Sequence, residues 1–218
     1  MNRLISGYIQ KHYDIISFDI FDTLIERKVS RPSDIFRLTG EKVLGKAEAE
    51  EFCQKRILAE RTAREGRNSQ ETDLDGIYEN LLKEYGEQSV FLKEKEIQLE
   101  IEMCHRKEKV ASFFEECCFC GKEVYLISDM YLPFSVISSM LNRCGIHGYQ
   151  ALYVSNVYGK NKLSGELFKT VLHENSIDPK KMIHIGDSMK ADFSGAHKAG
   201  VKALLIGRKN RVGRLIRS

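Results

Sequence analysis

The sequence predicts an α/β protein built on a parallel sheet. Five short apolar runs, rich in β-branched residues, predict strands at residues 15–19, 123–128, 151–155, 182–186 and 202–206. Helical patterns at residues 134–144, 163–175 and 193–199 separate the later runs. Strands that alternate with helices favour parallel pairing through right-handed crossovers.

The interval from residue 29 to residue 107 has a different character, because it contains no convincing strand. Residues 47–65 and 90–109 are rich in Ala, Glu, Arg and Lys, and Thr72 and Asp73 are typical of a helix entry. An insertion of this length is too long for a plain loop. We therefore predict a core formed by residues 1–28 and 108–218. An all-helical cap domain at residues 29–107, inserted after the first strand, is expected to fold over the carboxyl edge of the sheet.

The composition favours an ordinary globular protein. Hydrophobic residues make up 42% of the chain, and the net charge of +3 is too small to argue for a nucleic-acid partner. No apolar stretch is long enough to span a bilayer, and the N-terminus lacks the apolar core of a signal peptide. The default expectation is a cytoplasmic protein without a membrane or nucleic-acid partner, and the oligomeric state stays open.

The sequence also contains a cluster of cysteines at Cys117, Cys118 and Cys120. A metal site would need a second pair at a suitable spacing, and the sequence has none. Apolar residues from 110 to 118 fall on one helical face, and Gly121 suits the end of that helix. We therefore expect reduced and mostly buried thiols.

Polar residues occur at four places where a predicted strand ends or a predicted helix begins, and together they could form a site. The first set is Asp19, Asp22 and Thr23 in the sequence FDIFDTL at residues 18–24. Parallel sheets form their sites at the carboxyl ends of strands, where a carboxylate is a candidate nucleophile or metal ligand. The ordinary alternative is a turn residue or a helix cap.

The other three elements complete a chemically consistent set. Ser128 ends a predicted strand before a helix, Lys160 or Lys162 precedes a helix, and Asp187 and Asp192 follow the fourth strand. Each has an ordinary alternative as a cap, a turn residue or a solvated lysine. A nucleophilic carboxylate, a hydroxyl and backbone N–H groups for an anion, a lysine and paired acids for a hard cation together suit phosphoryl transfer.

These residues resemble, in order and over nearly the whole chain, the four motifs of the haloacid dehalogenase (HAD) superfamily of hydrolases. The resemblance implies a Rossmann-like core and a helical cap that closes over the site, excludes water and selects the substrate. Lys162, six residues before Phe168, best fits the third motif, with Lys160 as runner-up. His184 is expected to be structural. The spelling of the first motif resembles a subgroup with some members linked to surface-polysaccharide biosynthesis, which suggests a sugar phosphate or nucleotide sugar as substrate.

The resemblance also implies a role for each motif residue. The residues implied to hold Mg²⁺ are Asp19, Phe21 through its backbone carbonyl, Asp187 and Asp192. The residues implied to contact a small phosphorylated substrate are Thr23, Ser128, Asp129 and Lys162. The catalytic set is Asp19 as nucleophile with Ser128, Lys162 and Asp22 as a candidate helper.

The first motif departs from the superfamily's phosphatases at one position. They usually carry a second Asp two residues after the nucleophile, and here that position is Phe21, followed by Asp22. General acid–base help is worth roughly 10²- to 10⁴-fold in rate. Asp22 could reach the site through a local turn. The enzyme could also act on esters with good leaving groups, or use a group from the substrate or the cap. Alternatively the reaction is a different one, because the superfamily's dehalogenases also lack that Asp.

Three hypotheses therefore remain. The first is a Mg²⁺-dependent phosphohydrolase for a small metabolite such as a sugar phosphate or a nucleotide, and the paired acids of the fourth motif favour it. The second is a catalytically weak protein that binds phosphate and Mg²⁺. The third is a metal-independent, dehalogenase-like hydrolase that attacks carbon.

Basic residues occur in two further places. Arg56, Arg61 and Arg64 lie along one predicted helix at residues 52–65, either as an anion-binding face or as a solvated, ion-paired face. The basic tail at residues 208–217 is expected to be solvated.

Overall fold

The computed structural model describes residues 3–65 and 71–207, so the basic tail lies outside the described residues. The strands are β1 (Ile15–Phe18), β2 (Ile25–Arg27), β3 (Cys104–Arg106), β4 (Glu123–Ser128), β5 (Ala151–Val154), β6 (Met182–Gly186) and β7 (Lys202–Leu205). The α-helices are α1 (Arg3–His12), α2 (Asp34–Val43), α3 (Ala49–Glu65), α4 (Leu74–Tyr85), α5 (Gln88–Met103), α6 (Glu108–Phe119), α7 (Phe134–Arg143), α8 (Ser155–Tyr158), α9 (Glu166–Glu174) and α10 (Gly195–Lys198). A 3₁₀ turn covers Pro179–Lys181, and a π-helical segment covers Met189–Ser194.

Five strands form one parallel sheet in the order β5-β4-β1-β6-β7. All five predicted strands are confirmed, and three of them end one residue earlier than expected. β1 lies at the centre, and each of its four residues is buried: three are apolar, and the hydroxyl of the fourth, Ser17, bonds to His184. The chain passes from β1 to β4 and β5 on one side and then to β6 on the other. The carboxyl end of β1 therefore lies at a topological switch point, where α/β sheets form their sites.

Two predicted helices have different starts because local hydrogen bonds set their first turns. The helix expected from residue 163 begins at Glu166, since the Asn161 side chain accepts the Ser164 N–H at 2.9 Å and Gly165 has a φ of 85°. The helix expected from residue 193 is preceded by the π-helical segment. There the N–H groups of residues 192 and 193 both donate to the Ser188 carbonyl. Both changes lie beside predicted site residues.

Helices α2 to α5 form the predicted cap, which packs on the core through one continuous cluster of buried apolar residues. The predicted entry to α4 is confirmed, because the Asp73 side chain accepts the Gly76 N–H at 2.7 Å. The expectation that residues 29–107 hold no strand is wrong. β3 lies in this interval and pairs antiparallel with β2. Its three residues carry no alternating apolar pattern, and its partner is 79 residues away, so no local signal marks it.

The β2–β3 ribbon carries the chain out of the core and back into it. Beyond the paired strands, the Lys28 N–H donates to the Met103 carbonyl at 2.8 Å, and the Lys107 N–H donates to the Leu24 carbonyl at 2.8 Å. The proposed division into a core at residues 1–28 and 108–218 and a cap at residues 29–107 stays a prediction. The ribbon lies where that division places the two crossings.

All six cysteines are free thiols, and four of them are buried. Helix α6 ends at Phe119, and Gly121 follows it with a φ of 72°. Cys120 is exposed, so the expectation of mostly buried thiols does not extend to it. Among the described residues, no helix combines the length and the apolar character that a membrane crossing requires.

Arg56 contradicts both interpretations of the arginine row, because it is completely buried inside the cap. Its guanidinium donates to both carboxylate oxygens of Glu96, at 2.8 and 2.7 Å, and stacks 4.3 Å from the Phe36 ring and 4.9 Å from the Tyr131 ring. A bidentate carboxylate partner of this kind compensates for the loss of water. Arg61 and Arg64 do pair on the helix surface, with Glu65 and Glu60 respectively.

Candidate active site

Asp19 lies directly after β1 at the centre of the sheet, and its side chain is buried. Its N–H donates to the Ile185 carbonyl at 2.9 Å, which continues the β1–β6 ladder and fixes the backbone. One carboxylate oxygen, Oδ2, accepts the Thr23 hydroxyl at 2.8 Å, and the other, Oδ1, lies 2.6 Å from Lys162 Nζ. The predicted nucleophile is therefore oriented by Thr23 and Lys162 together.

Lys162, and not Lys160, reaches the carboxyl edge of β1. Its ammonium bridges Asp19 and Asp192, with 2.6 Å to an oxygen of each. Its backbone N–H donates to the Asp129 carboxylate at 2.9 Å, so the Asp129 side chain positions the lysine. The Lys160 ammonium instead contacts the Thr170 hydroxyl at 2.9 Å. Burial opposes the charge on Lys162, but the carboxylates around it raise the pKa of its ammonium above the ordinary value.

Asp192 is a buried carboxylate with three donors around it. Besides Lys162, the Ser188 N–H donates to its Oδ2 at 2.8 Å, and His184 Nε2 lies 3.2 Å from its Oδ1. Burial lowers the pKa of His184, which favours a neutral ring. In that form Nε2–H donates to Asp192 while Nδ1 accepts the Ser17 hydroxyl at 2.8 Å. Burial raises the pKa of Asp192, but Lys162 and His184 outweigh it and hold this pKa well below its usual range.

Two glycines allow this close packing. A Cβ on Gly186 would lie 2.3 Å from Cγ of Asp192, and a Cβ on Gly195 would lie 2.0 Å from the Lys162 carbonyl oxygen. Neither glycine has a positive φ, so the requirement is for space. The sequence positions of the two glycines are therefore set by the side chain of Asp192 and the backbone of Lys162.

The carboxylates of Asp19, Asp187 and Asp192 form the group best suited to a cation, with one oxygen of each within 4.8 Å of the others. Three carboxylates and the one ammonium of Lys162 leave two negative charges in excess, and a divalent cation with oxygen ligands would balance them. Burial raises the pKa of Asp19 to about 7, Lys162 opposes this shift, and Asp192 adds to it. A bound cation would favour the ionised carboxylate.

Ser128 is buried at the carboxyl end of β4, the strand beside β1, at the same edge as Asp19. Asp22 lies in the turn after Asp19, has a φ of 59°, and accepts the Lys107 ammonium on its backbone carbonyl. It does not belong to the group of three carboxylates. The Phe21 ring lies 4.7 Å from the Arg27 guanidinium. The position that is an acid in the phosphatases therefore holds an aromatic ring beneath a cation.

A cavity of about 640 Å³ opens beside these residues, between α3 of the cap and the core. Its core wall includes Asp129 and the two neighbours of Lys162, and its cap wall includes Arg61, Arg64 and Glu71. Glu71 is a buried carboxylate that the sequence did not reveal, because no spacing or motif distinguishes it from the other glutamates of the cap. Its hydrogen bonds to core residues are visible only once the chain is folded.

Comparisons with known proteins agree with this architecture. A family model described as a haloacid dehalogenase-like hydrolase matches residues 13–200. The comparison with curated proteins gives no match. Three similar solved structures illustrate the range of relatives. A Bacillus subtilis HAD hydrolase, YfnB, bound to magnesium, is 20% identical, with a TM-score of 0.62 and 89% of each chain covered.

The second is the L-2-haloacid dehalogenase of Xanthobacter autotrophicus with chloropropionic acid covalently bound. It is 12% identical, with a TM-score of 0.62, 91% of this chain covered and 79% of the other. The third is CbbY of Rhodobacter sphaeroides in complex with phosphate. It is 13% identical, with a TM-score of 0.59, 89% of this chain covered and 86% of the other. At these identities the likeness shows the fold alone.

Proposed function

The chain belongs to the haloacid dehalogenase-like hydrolases, and we propose that it is a Mg²⁺-dependent phosphohydrolase acting on a small phosphorylated metabolite. The observation that supports this proposal is the group of three carboxylates formed by Asp19, Asp187 and Asp192, with one oxygen of each within 4.8 Å of the others. A hydrolase that attacks carbon without a metal has no need of Asp187 and Asp192 at this distance. Sugar phosphates and nucleotides are the first substrates to test.

In this mechanism a carboxylate oxygen of Asp19 attacks phosphorus, and the bond from phosphorus to the leaving oxygen breaks. The Lys162 ammonium and the Ser128 hydroxyl bind the phosphoryl oxygens and neutralise part of their charge. Bound Mg²⁺, held by Asp19, Asp187, Asp192 and the Phe21 carbonyl, would supply further charge neutralisation. Water then attacks phosphorus, which releases phosphate and restores the Asp19 carboxylate.

The departure of the alcohol needs a proton, and Phe21 cannot supply one. Esters whose leaving groups are stable as anions should therefore react faster than esters of ordinary alcohols. Asp22 stays a candidate helper, since its turn directly follows the nucleophile. Without an acid at position 21, we expect a modest rate for ordinary esters, because acid–base help is worth roughly 10²- to 10⁴-fold.

A second candidate is a metal-independent hydrolase in which Asp19 attacks carbon and displaces a halide. Water then hydrolyses the resulting ester, which releases the hydroxylated product and restores the Asp19 carboxylate. Phe21 favours it, because no acid is needed when the leaving group is a halide. A dehalogenase is among the similar solved structures, so the fold is compatible with this reaction. On this alternative, Lys162 would orient the nucleophile through its contact with Asp19.

One experiment separates the two candidates. Phosphate release from sugar phosphates, nucleotides and nitrophenyl phosphate is measured with Mg²⁺ and with a chelator, alongside chloride release from 2-chloropropionate. The variant Asp19→Asn is the test, and Asp178→Asn, at the start of the 3₁₀ turn before β6, is the control. Magnesium-dependent phosphate release that is lost only in Asp19→Asn supports the phosphohydrolase. Chloride release that survives the chelator would replace it with the second candidate.

A further inference from the structure

Glu71 is a cap residue whose side chain contacts the core beside the candidate site. It immediately precedes the entry to α4, and only 7% of its surface is exposed. Its carboxylate accepts hydrogen bonds from the Ser155 hydroxyl and the Asn161 side chain, both of which belong to the core. A buried carboxylate is costly unless donors of this kind surround it. The core therefore provides the donors that keep Glu71 in place.

The first contact leads to the loop after β4. Ser155 lies directly after β5, and its hydroxyl oxygen accepts the Met130 N–H at 3.0 Å. Met130 is two residues beyond Ser128, the candidate ligand of the phosphoryl oxygens. A hydroxyl that accepts from Met130 and donates to Glu71 fixes the position of this loop relative to the cap.

The second contact leads to the loop that carries the lysine. Asn161 immediately precedes Lys162, and its side-chain oxygen accepts the Ser164 N–H, which leaves the amide N–H₂ group to donate to Glu71. The two loops are also joined directly, because Asp129 accepts the Lys162 N–H at 2.9 Å. The contacts form a closed circuit from the cap through both loops and back.

We propose that Glu71 is a positioning residue that couples closure of the cap to the alignment of Ser128 and Lys162 at Asp19. The proposal rests on the proposed function in one respect, namely that these two residues bind a phosphoryl group. With the cap seated, one carboxylate holds both loops. When the cap moves away, Ser155 and Asn161 lose their shared acceptor, and the alignment of the two loops then depends on the contact of Asp129 with the Lys162 N–H.

Charges of both signs lie around the Glu71 carboxylate, as we expect for a contact that can form and break. Asp129 repels its carboxylate and Arg64 attracts it, while burial and Asp129 together raise its pKa. The cavity of about 640 Å³ is lined by Glu71, Arg64 and Asp129, so a substrate in it would lie beside the contacts that Glu71 makes with the core. A group that closes over a filled cavity and completes the anion site excludes water when the reaction begins.

The test compares Glu71→Gln and Glu71→Ala with Glu79→Gln, a cap glutamate on the exposed face of α4. Two quantities are measured: the affinity for inorganic phosphate in the presence of Mg²⁺, and hydrogen exchange of the backbone amides. We expect the Glu71 variants to bind phosphate about 10-fold or more weakly, as is typical when a residue that orients a binding group is lost. Amide exchange should rise at residues 128–131 and 160–164, and Glu79→Gln should change neither quantity.

Hydrogen exchange keeps the proposal testable if the chain is not a phosphohydrolase. Wild-type protein that releases no phosphate, with faster exchange in both loops of Glu71→Gln, would remove the function and keep the coupling. Unchanged exchange in both loops of a folded Glu71→Gln protein would overturn the coupling, whatever the activity. If neither Glu71 variant folds, Asn161→Asp keeps the oxygen that accepts the Ser164 N–H and removes the donor to Glu71, and exchange should then rise at residues 160–164 only. A rise spread over the whole chain would overturn the proposal.

Discussion

Lys162 Nζ and Asp19 Oδ1 lie 2.6 Å apart, although 143 positions separate the two residues in the chain. The same ammonium lies 2.6 Å from Asp192. One lysine therefore holds two of the three carboxylates that surround the candidate cation position. The lysine thereby links Asp19, the candidate nucleophile, to Asp192, a second carboxylate of the candidate cation site.

The first prediction concerns the choice between the two lysines. Lys162→Ala should lower phosphate release at least about 100-fold, because it removes the cation beside Asp19 and leaves Asp19 and Asp192 to repel each other. Lys160→Ala should stay within about 3-fold of wild type, since its ammonium contacts Thr170 at 2.9 Å. Steady-state rates of both variants, with thermal unfolding as a check on folding, decide the matter. An equal loss in both variants would contradict the assignment.

The second prediction concerns the missing acid. Phe21→Asp should raise turnover of esters of ordinary alcohols more than turnover of nitrophenyl phosphate, because only the former need a proton on the leaving group. The gain should stay below the roughly 10²- to 10⁴-fold worth of a general acid, because Arg27 lies beside the Phe21 ring and would favour the ionised carboxylate. The control is Phe21→Asn, because asparagine has the shape of aspartate and carries no acidic proton. Equal gains in both variants would show that proton transfer is not involved.

A third prediction follows from the space around Gly195. Gly195→Ala would place a methyl group 2.0 Å from the Lys162 carbonyl oxygen, so the lysine-bearing loop must shift. We expect about 1–3 kcal/mol of lost stability, as is typical of overpacking, together with loss of activity. Gly7→Ala on exposed helix α1 meets nothing within 4 Å and should gain up to about 1 kcal/mol. Chemical denaturation measures both, and equal effects would refute the packing argument.

The fourth prediction concerns the buried pair of Arg56 and Glu96. Arg56→Ala should lower the free energy of unfolding by about 3–5 kcal/mol, because Glu96 would remain buried without its charge partner. Removing both charges in Arg56→Met with Glu96→Leu should recover part of this loss, and the recovery is incomplete because Tyr78 then loses its acceptor. Denaturant unfolding of the single and double variants gives the comparison. A double variant less stable than Arg56→Ala would contradict it.

The sequence predicted the central sheet well because its strands are short and mostly apolar runs, as Ile15–Phe18 and Met182–Gly186 show. Such runs are buried on both faces, and burial alone determines their structure. The resemblance to the HAD motifs indicated that Asp19 and Lys162 belong to one site. The geometry places these two side chains together, while their catalytic roles stay predictions.

The features that the sequence missed depend on contacts between distant segments. Arg56 looked like one arginine of a surface row, and only its packing against Glu96 distinguishes it from Arg61. β3 depends on a partner strand in another part of the chain. Glu71 contacts Ser155 and Asn161 because the cap packs against the core. None of these relationships leaves a periodic pattern along the chain, since partners from distant segments define each.

The β2–β3 ribbon brings the two ends of the helical insertion together. Its first and last segments are hydrogen-bonded to each other, so a short turn joining Lys28 to Met103 would close the ribbon into a hairpin. Recombination at these two neighbouring points could replace the whole insertion while Asp19, Lys162 and Asp192 stay in the core. A lineage could acquire new substrates by exchanging this one module, and protein engineering could graft a different lid onto the same sheet at the same junction.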